Sequence, residues 1–129
     1  MDTDITILVV DDEPTIRFAT VRLLQKAGYE VLETDSGESC LDMVRKIQPD
    51  LVVLDIVLSG ISGYDVCRRI KEDKDLQGVY VLLLSGQRTG SDDQSEGLEI
   101  GADGYVARPV SNREFLARIQ AMVRIIRAE

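Results

Sequence analysis

The sequence predicts an α/β fold: a single (βα)5 domain in which strands and helices alternate along the whole chain. Five short apolar segments alternate with five segments of helical periodicity, and no linker, repeat or low-complexity stretch interrupts them. The chain has 129 residues, the length of one domain, and 44% of them are hydrophobic, enough to fill a core. We therefore treat residues 1–129 as one domain.

The predicted strands are short apolar runs, typical of parallel strands covered on both faces. The third and fourth are almost entirely apolar, whereas the second is shorter and more polar, which predicts an edge position. In chain order the predicted strands are residues 5–10, 29–33, 51–54, 79–84 and 104–107.

The predicted helices have recognisable starts and ends. Pro14 suits the first turn of the first helix, and Gly28 ends it. The second helix is predicted over residues 36–47. Motifs resembling capping boxes predict the starts of the third, fourth and fifth helices, at Ser62, Ser91 and Ser111.

Three acidic residues follow two of the predicted strands, Asp11 and Asp12 after the first and Asp55 after the third. The carboxyl ends of parallel strands meet at one edge of the sheet, where ligands bind. Taken singly, each acid could be a turn or helix-start residue. Together the three charges would repel one another unless a cation neutralises them. Oxygen ligands suit Mg2+, with Mn2+ as a substitute, so the pattern favours a divalent metal site.

Composition excludes several functions. The formal net charge is −8 and the basic residues are scattered, which argues against direct nucleic-acid binding. No apolar run approaches the roughly 20 residues of a membrane span, and the N-terminus has no basic signal region, so we expect a cytoplasmic location without membrane contact.

The chain has no histidine, so any imidazole chemistry must come from a partner. Cys40 and Cys67 have no ligand spacing and are expected to be buried thiols.

Four segments of the chain form a pattern by their order and spacing: VVDDEP at 9–14, LVVLD at 51–55, LLSG at 83–86 and GADGYVARP at 101–109. By these segments the chain resembles the receiver domain of two-component response regulators over essentially its whole length. The resemblance implies a flavodoxin-like, doubly wound five-stranded parallel sheet, with strand order 2-1-3-4-5 and three α/β/α layers.

The resemblance also implies a role for each matching residue. Asp55 matches the phosphoacceptor, and Asp11 and Asp12 match the acidic pair that binds Mg2+. The backbone carbonyl of Val57, two residues past the acceptor, would complete the metal ligands. Such a domain is a signalling receiver, not an enzyme, and catalyses only its own phosphorylation and dephosphorylation.

Two further residues match the family's switch. Ser85 matches the hydroxyl residue that bonds the phosphoryl group, and Tyr105 matches the aromatic whose ring then moves inward. The surface of the fourth helix, fifth strand and fifth helix would change as a result. On the first helix, Phe18 and Val21 fall outside the predicted core stripe and could mark kinase docking. That stripe consists of the residues that keep helical spacing, which are Ile16, Thr20, Leu23, Leu24 and Ala27.

The chain departs from the family pattern at two positions. Arg108 replaces the usual lysine, and because its planar fork is larger, the exchange is not conservative at a tight site. The Arg108–Pro109 bond is predicted to be cis, as in the family. Ser59 stands where the family often has proline, and Gly60 and Gly63 are expected to add freedom to the same loop.

Two functions therefore remain open. One is a phosphorylated receiver that takes its phosphoryl group from a sensor histidine kinase or a histidine phosphotransfer protein and acts on an output domain or partner protein. The other is a phosphorylation-independent interaction or dimerisation module, favoured only by Arg108. An aspartyl phosphatase is disfavoured because Val57, not a second acid, lies two residues after Asp55. Homodimerisation stays open as well.

The last predicted helix leaves the domain boundary open. Its apolar stripe either faces the core or continues as a coiled coil into a further module of a longer chain. The stripe consists of Phe115, Ile119, Met122 and Ile126.

Overall fold

The computed structural model describes residues 4–86 and 99–129, where strands and helices alternate as predicted. The fourth predicted helix, with Ser91, lies outside the described residues. The strands are β1 (Thr6–Val10), β2 (Glu30–Thr34), β3 (Leu51–Asp55), β4 (Tyr80–Ser85) and β5 (Gly104–Ala107). The helices are α1 (Pro14–Lys26), α2 (Gly37–Ile47), α3 (Gly63–Glu72), a short 3-10 helix (Lys74–Leu76) and the C-terminal helix (Asn112–Ala128).

All strand pairs are parallel and the sheet order is β2-β1-β3-β4-β5, so the predicted order is confirmed. The more polar β2 lies at an edge, also as predicted. Each predicted strand agrees with the observed one to within one residue at either end. Apolar continuity thus located the strands, because strands covered on both faces leave little room for polar side chains.

Side-chain caps begin the helices where the motifs predicted. Ser62 Oγ accepts the Asp65 N–H, and Ser111 Oγ accepts the Glu114 N–H. Glu13, which the sequence reading did not single out as a cap, accepts the Ile16 N–H at 2.7 Å just before Pro14. Each cap satisfies a backbone donor that the helix itself leaves unpaired.

The sheet separates two apolar layers, so the three-layer architecture is confirmed. One face packs against α2 and α3, and both cysteines lie in that layer. Both thiols are buried, as expected, and burial raises the pKa of each to about 12, which disfavours the reactive thiolate. The other face packs against α1 and the C-terminal helix.

One prediction for α1 was wrong. Val21 is 6% exposed and packs against the sheet, whereas Phe18 is 62% exposed with the Arg22 guanidinium 5.6 Å from its ring centre. Ile16, assigned to the core stripe, is exposed. The helix is rotated relative to the predicted stripe, so of the two candidates for kinase docking only Phe18 lies on the surface.

The stripe of the C-terminal helix faces the sheet. Phe115, Ile119 and Met122 are buried, and Ile126 packs against them at the edge of the same layer. The stripe thus faces the core, the first of the two predicted alternatives, and a continuation into a further module stays a prediction. Across the described ranges, no helix combines the length and apolar character needed to cross a membrane.

Candidate functional site

The strand register brings the three predicted acids together. Val10 of β1 lies opposite Leu54 of β3, so the residues that follow them, Asp11 and Asp55, emerge side by side at the carboxyl edge. Asp12 completes the group: one carboxylate oxygen from each residue lies within 4.8 Å of the others. The expected acidic cluster is therefore present.

Asp11 is the most deeply placed acid, with 2% of its surface exposed. Its Oδ1 accepts the Glu13 N–H at 3.0 Å. Its Oδ2 is buried and has no hydrogen-bond partner among the described residues. Arg108 Nη1 lies 3.6 Å from Oδ2, close enough for an ion pair but too long for a hydrogen bond. A buried carboxylate oxygen of this kind suits a cation ligand.

The pKa of the half-buried Asp55 is raised to about 6, first by burial and then by the charges of Asp11 and Asp12. The Val57 N–H, which donates to Asp55 Oδ1 at 3.1 Å, and the Arg108 guanidinium both lower it. Burial is therefore the main reason that Asp55 binds a proton more tightly than a free carboxylate does.

Asp12 is held by the loop after β3. The backbone N–H and the hydroxyl of Ser59 both donate to Asp12 Oδ2, each at 3.0 Å. The sequence reading treated Ser59 only as a missing proline and did not anticipate this contact, which joins positions 47 residues apart.

Arg17 is a second residue that the sequence reading missed. Its Nη1 donates to the Asp11 carbonyl at 2.8 Å, and its Nε pairs with Glu33 of β2 at 3.0 Å. It therefore ties the acidic loop to the neighbouring edge strand. The one feature of the sequence that could have indicated this contact is the position of Arg17, one turn into α1 and directly after the acidic loop.

Ser85 and Arg108 lie on adjacent strand ends. Ser85 pairs with Ala107 in the β4–β5 register, and the Arg108 N–H donates to the Ser85 carbonyl at 2.7 Å. The Arg108–Pro109 bond is cis, as predicted. Arg108 thus extends from β5 to the acidic cluster, and its ion pair there is with Asp11.

Tyr105 lies inside the protein. It is 7% exposed and packs in the layer between the sheet and α2 and α3. Its hydroxyl is buried without a hydrogen-bond partner in the described part of the chain. The ring is therefore already inward here.

The two glycines after β3 have different roles. Gly60 has φ +83°, the left-handed conformation that glycine adopts freely. Gly63 has no such conformation: a Cβ there would lie 2.2 Å from the Asp55 carbonyl oxygen. The expectation that Gly63 adds freedom was wrong, because its lack of a side chain lets α3 pack directly against the acceptor strand.

The donor set fits a hard divalent cation. Asp11, Asp12 and Asp55 offer only carboxylate oxygens, and one buried oxygen among them lacks a partner. Mg2+ is bound in this way by a few carboxylates, with remaining positions left for water or a phosphate. Val57 is exposed and lies in the loop after β3, two residues past Asp55.

Comparisons with known proteins agree with this architecture. A family profile described as the response regulator receiver domain matches residues 7–120. The chain is 39% identical over 119 residues to the phosphate regulon transcriptional regulatory protein PhoB of Pseudomonas aeruginosa, covering 92% of this chain and 52% of PhoB.

Two further relatives extend the comparison. Over 118 residues the chain is 39% identical to the DNA-binding response regulator MtrA of Mycolicibacterium smegmatis, covering 92% of this chain and 50% of MtrA. The BeF3-activated N-terminal receiver domain of Klebsiella pneumoniae RstA superposes with a TM-score of 0.83 at 26% identity, covering 92% and 98% of the two chains. The chain spans about half the length of the curated relatives.

Proposed function

This chain belongs to the response regulator receiver domain family of two-component systems, and we propose that it accepts a phosphoryl group on Asp55. The observation that carries the proposal is the acidic cluster, with Asp55 at the β3 end and Asp11 and Asp12 beside it. In this family the donor is a phosphohistidine of a sensor histidine kinase or a histidine phosphotransfer protein, and because this chain has no histidine, that residue would lie on the partner.

The residues that this chain would contribute to phosphoryl transfer all lie at the carboxyl edge of the sheet. A carboxylate oxygen of Asp55 attacks phosphorus, the P–O bond forms, the P–N bond to the donor imidazole breaks, and that nitrogen regains its lone pair. Bound Mg2+ would neutralise charge on the carboxylate and the incoming phosphoryl oxygens. Asp11, Asp12, Asp55 and the Val57 carbonyl are the residues that would hold it.

Neighbouring groups then retain the product. Ser85 ends β4 beside the acceptor strand, and its hydroxyl is the group we assign to the phosphoryl oxygens. Arg108 carries the positive charge that would contact them in place of lysine. Tyr105 is the switch aromatic of the proposal, and the phosphoryl group would favour the inward position that its ring already has here. The responding surface would comprise β5, the C-terminal helix and the segment before β5 that includes residues outside the described ranges.

The proposal extends to partners. PhoB and MtrA are named as transcriptional and DNA-binding regulators, and this chain matches about half of each. With a net charge of −8, the receiver itself would not bind nucleic acid but would act on an output domain or partner protein. We assign it to the cytoplasm, as a signalling domain that catalyses only its own phosphorylation and dephosphorylation.

Intact-mass spectrometry after incubation with acetyl phosphate tests the function. With Mg2+ we expect a gain of about 80 Da, the mass of one phosphoryl unit. With EDTA we expect no gain, because the charges of the three acids would repel the phosphoryl group. An equal gain in EDTA would contradict the metal-dependent mechanism, and no gain with either acetyl phosphate or a kinase partner would contradict the function.

One observation favours the second function, a phosphorylation-independent interaction or dimerisation module. The Arg108 guanidinium pairs with Asp11, one of the proposed metal ligands, and could take the place of the cation. Arg108→Lys is expected to speed phosphorylation several-fold, because the smaller ammonium is less able to reach Asp11. Labelling of Arg108→Lys in the absence of any wild-type labelling would identify Arg108 as the block to phosphorylation, and equal labelling of both would remove the support for the second function.

A further inference from the structure

Ser59 makes a contact that its position in the family pattern does not predict. Both of its donors, the backbone N–H and the hydroxyl, reach the same oxygen, Oδ2 of Asp12, at 3.0 Å each. Proline, which the family often has here, offers neither donor because it lacks both an N–H and a hydroxyl. The contact therefore depends on this chain's serine.

The geometry leaves Asp12 able to act as a ligand. An ionised carboxylate has two oxygens and about four acceptor sites. Both Ser59 donors reach Oδ2, so neither of them uses the acceptor sites of Oδ1. The two hydrogen bonds also restrict rotation of the Asp12 carboxylate. Because the carboxylate is already ordered before a cation binds, binding costs less conformational entropy.

We infer that Ser59 is a positioning residue for the metal site: it holds the Asp12 carboxylate in place by two hydrogen bonds and so raises the affinity for Mg2+. This inference rests on the proposed metal site and adds to it a residue that does not touch the cation. Residues that orient metal ligands typically change affinity by about 10- to 100-fold when removed. Since the backbone N–H persists without the hydroxyl, a smaller loss is expected from removing the hydroxyl alone.

Isothermal titration calorimetry with Mg2+ alone, without any phosphodonor, tests the inference. Ser59→Ala should weaken Mg2+ binding by about 3- to 10-fold, and Ser59→Pro, which removes both donors, should weaken it further. Ser59→Thr keeps the hydroxyl and should restore binding to near the wild-type value. Thr20→Ala serves as the control, because the Thr20 hydroxyl bonds the Ile16 carbonyl within α1.

Thermal unfolding of each variant in EDTA separates positioning from general stability. If Ser59→Ala unfolds as wild type does in EDTA yet binds Mg2+ more weakly, positioning is supported. If Ser59→Ala binds Mg2+ as tightly as wild type or more tightly, the inference is overturned while the proposed function stands. If wild type itself binds no Mg2+, the metal site fails and the inference fails with it.

Discussion

Asp55→Asn is expected to show no gain of about 80 Da with acetyl phosphate and Mg2+, under conditions in which wild type gains one phosphoryl unit. The amide that replaces the carboxylate has no anionic oxygen to attack phosphorus. The fold should persist, because Asn has nearly the same shape and its side-chain oxygen can still accept the Val57 N–H. Intact-mass spectrometry and circular dichroism measure the two results.

Asp42→Asn provides the matched control. Asp42 is exposed on α2, away from the carboxyl edge, so the same change of side chain there should leave labelling at the wild-type level. Labelling of Asp55→Asn equal to that of wild type would show that another residue accepts the phosphoryl group.

The same variant should be more stable than wild type at pH 7 in EDTA. Burial raises the pKa of Asp55 to about 6 in the folded protein, from 3.8. The folded state therefore binds the proton more tightly than the unfolded state does. The resulting contribution of Asp55 to the free energy of unfolding is fully present below about pH 4 and is lost as the pH rises through about 6. A rise of about two in pKa corresponds to about 3 kcal/mol, which solvent screening of a half-buried carboxylate reduces to about 1 kcal/mol.

Urea unfolding in EDTA at several pH values measures this dependence. Asp55→Asn should exceed wild type by about 1 kcal/mol at pH 7, and the difference should close toward pH 4, where Asp55 is protonated in both states. A difference that stays constant from pH 4 to pH 7 would show that the charge of Asp55 is not its source.

Gly63→Ala is expected to lower the free energy of unfolding by about 3 kcal/mol or more. The added Cβ would lie 2.2 Å from the Asp55 carbonyl oxygen and 2.7 Å from the Ile56 Cα, and both contacts are with backbone. To relieve them, α3 must move away from the end of β3, which also breaks the hydrogen bond from the Gly63 N–H to the Ile56 carbonyl at 2.8 Å. Urea unfolding measures the loss.

Phosphorylation should slow in the same variant, because the acceptor strand end is displaced. Gly78→Ala is the control: a Cβ at Gly78 meets nothing within 4 Å, so we expect a change of no more than about 0.5 kcal/mol and normal labelling. If Gly63→Ala proved as stable as Gly78→Ala, the close packing of α3 on the acceptor strand would not matter to the fold.

Local patterns in the sequence predicted most of the elements. Strand positions followed from apolar runs, and the caps at Ser62 and Ser111 followed from short motifs, because both signals act between near neighbours. Helix faces were less predictable. Val21 was placed outside the core and Ile16 inside it, since periodicity defines a stripe while the packing of α1 on the sheet decides which side of that stripe is buried.

The sequence by itself determined the alternation of strands and helices and the identity of the three acids, because runs, caps and strand ends are local properties. Only the tertiary structure decided what surrounds those acids: the Ser59 donors on Asp12, the pairing of Arg108 with Asp11, and the close approach of Gly63 to Asp55. The first two contacts join residues far apart in the chain, and the third depends on how α3 packs against the end of β3. Their distances depend on how the strands are registered and how the helices pack, which no local pattern contains.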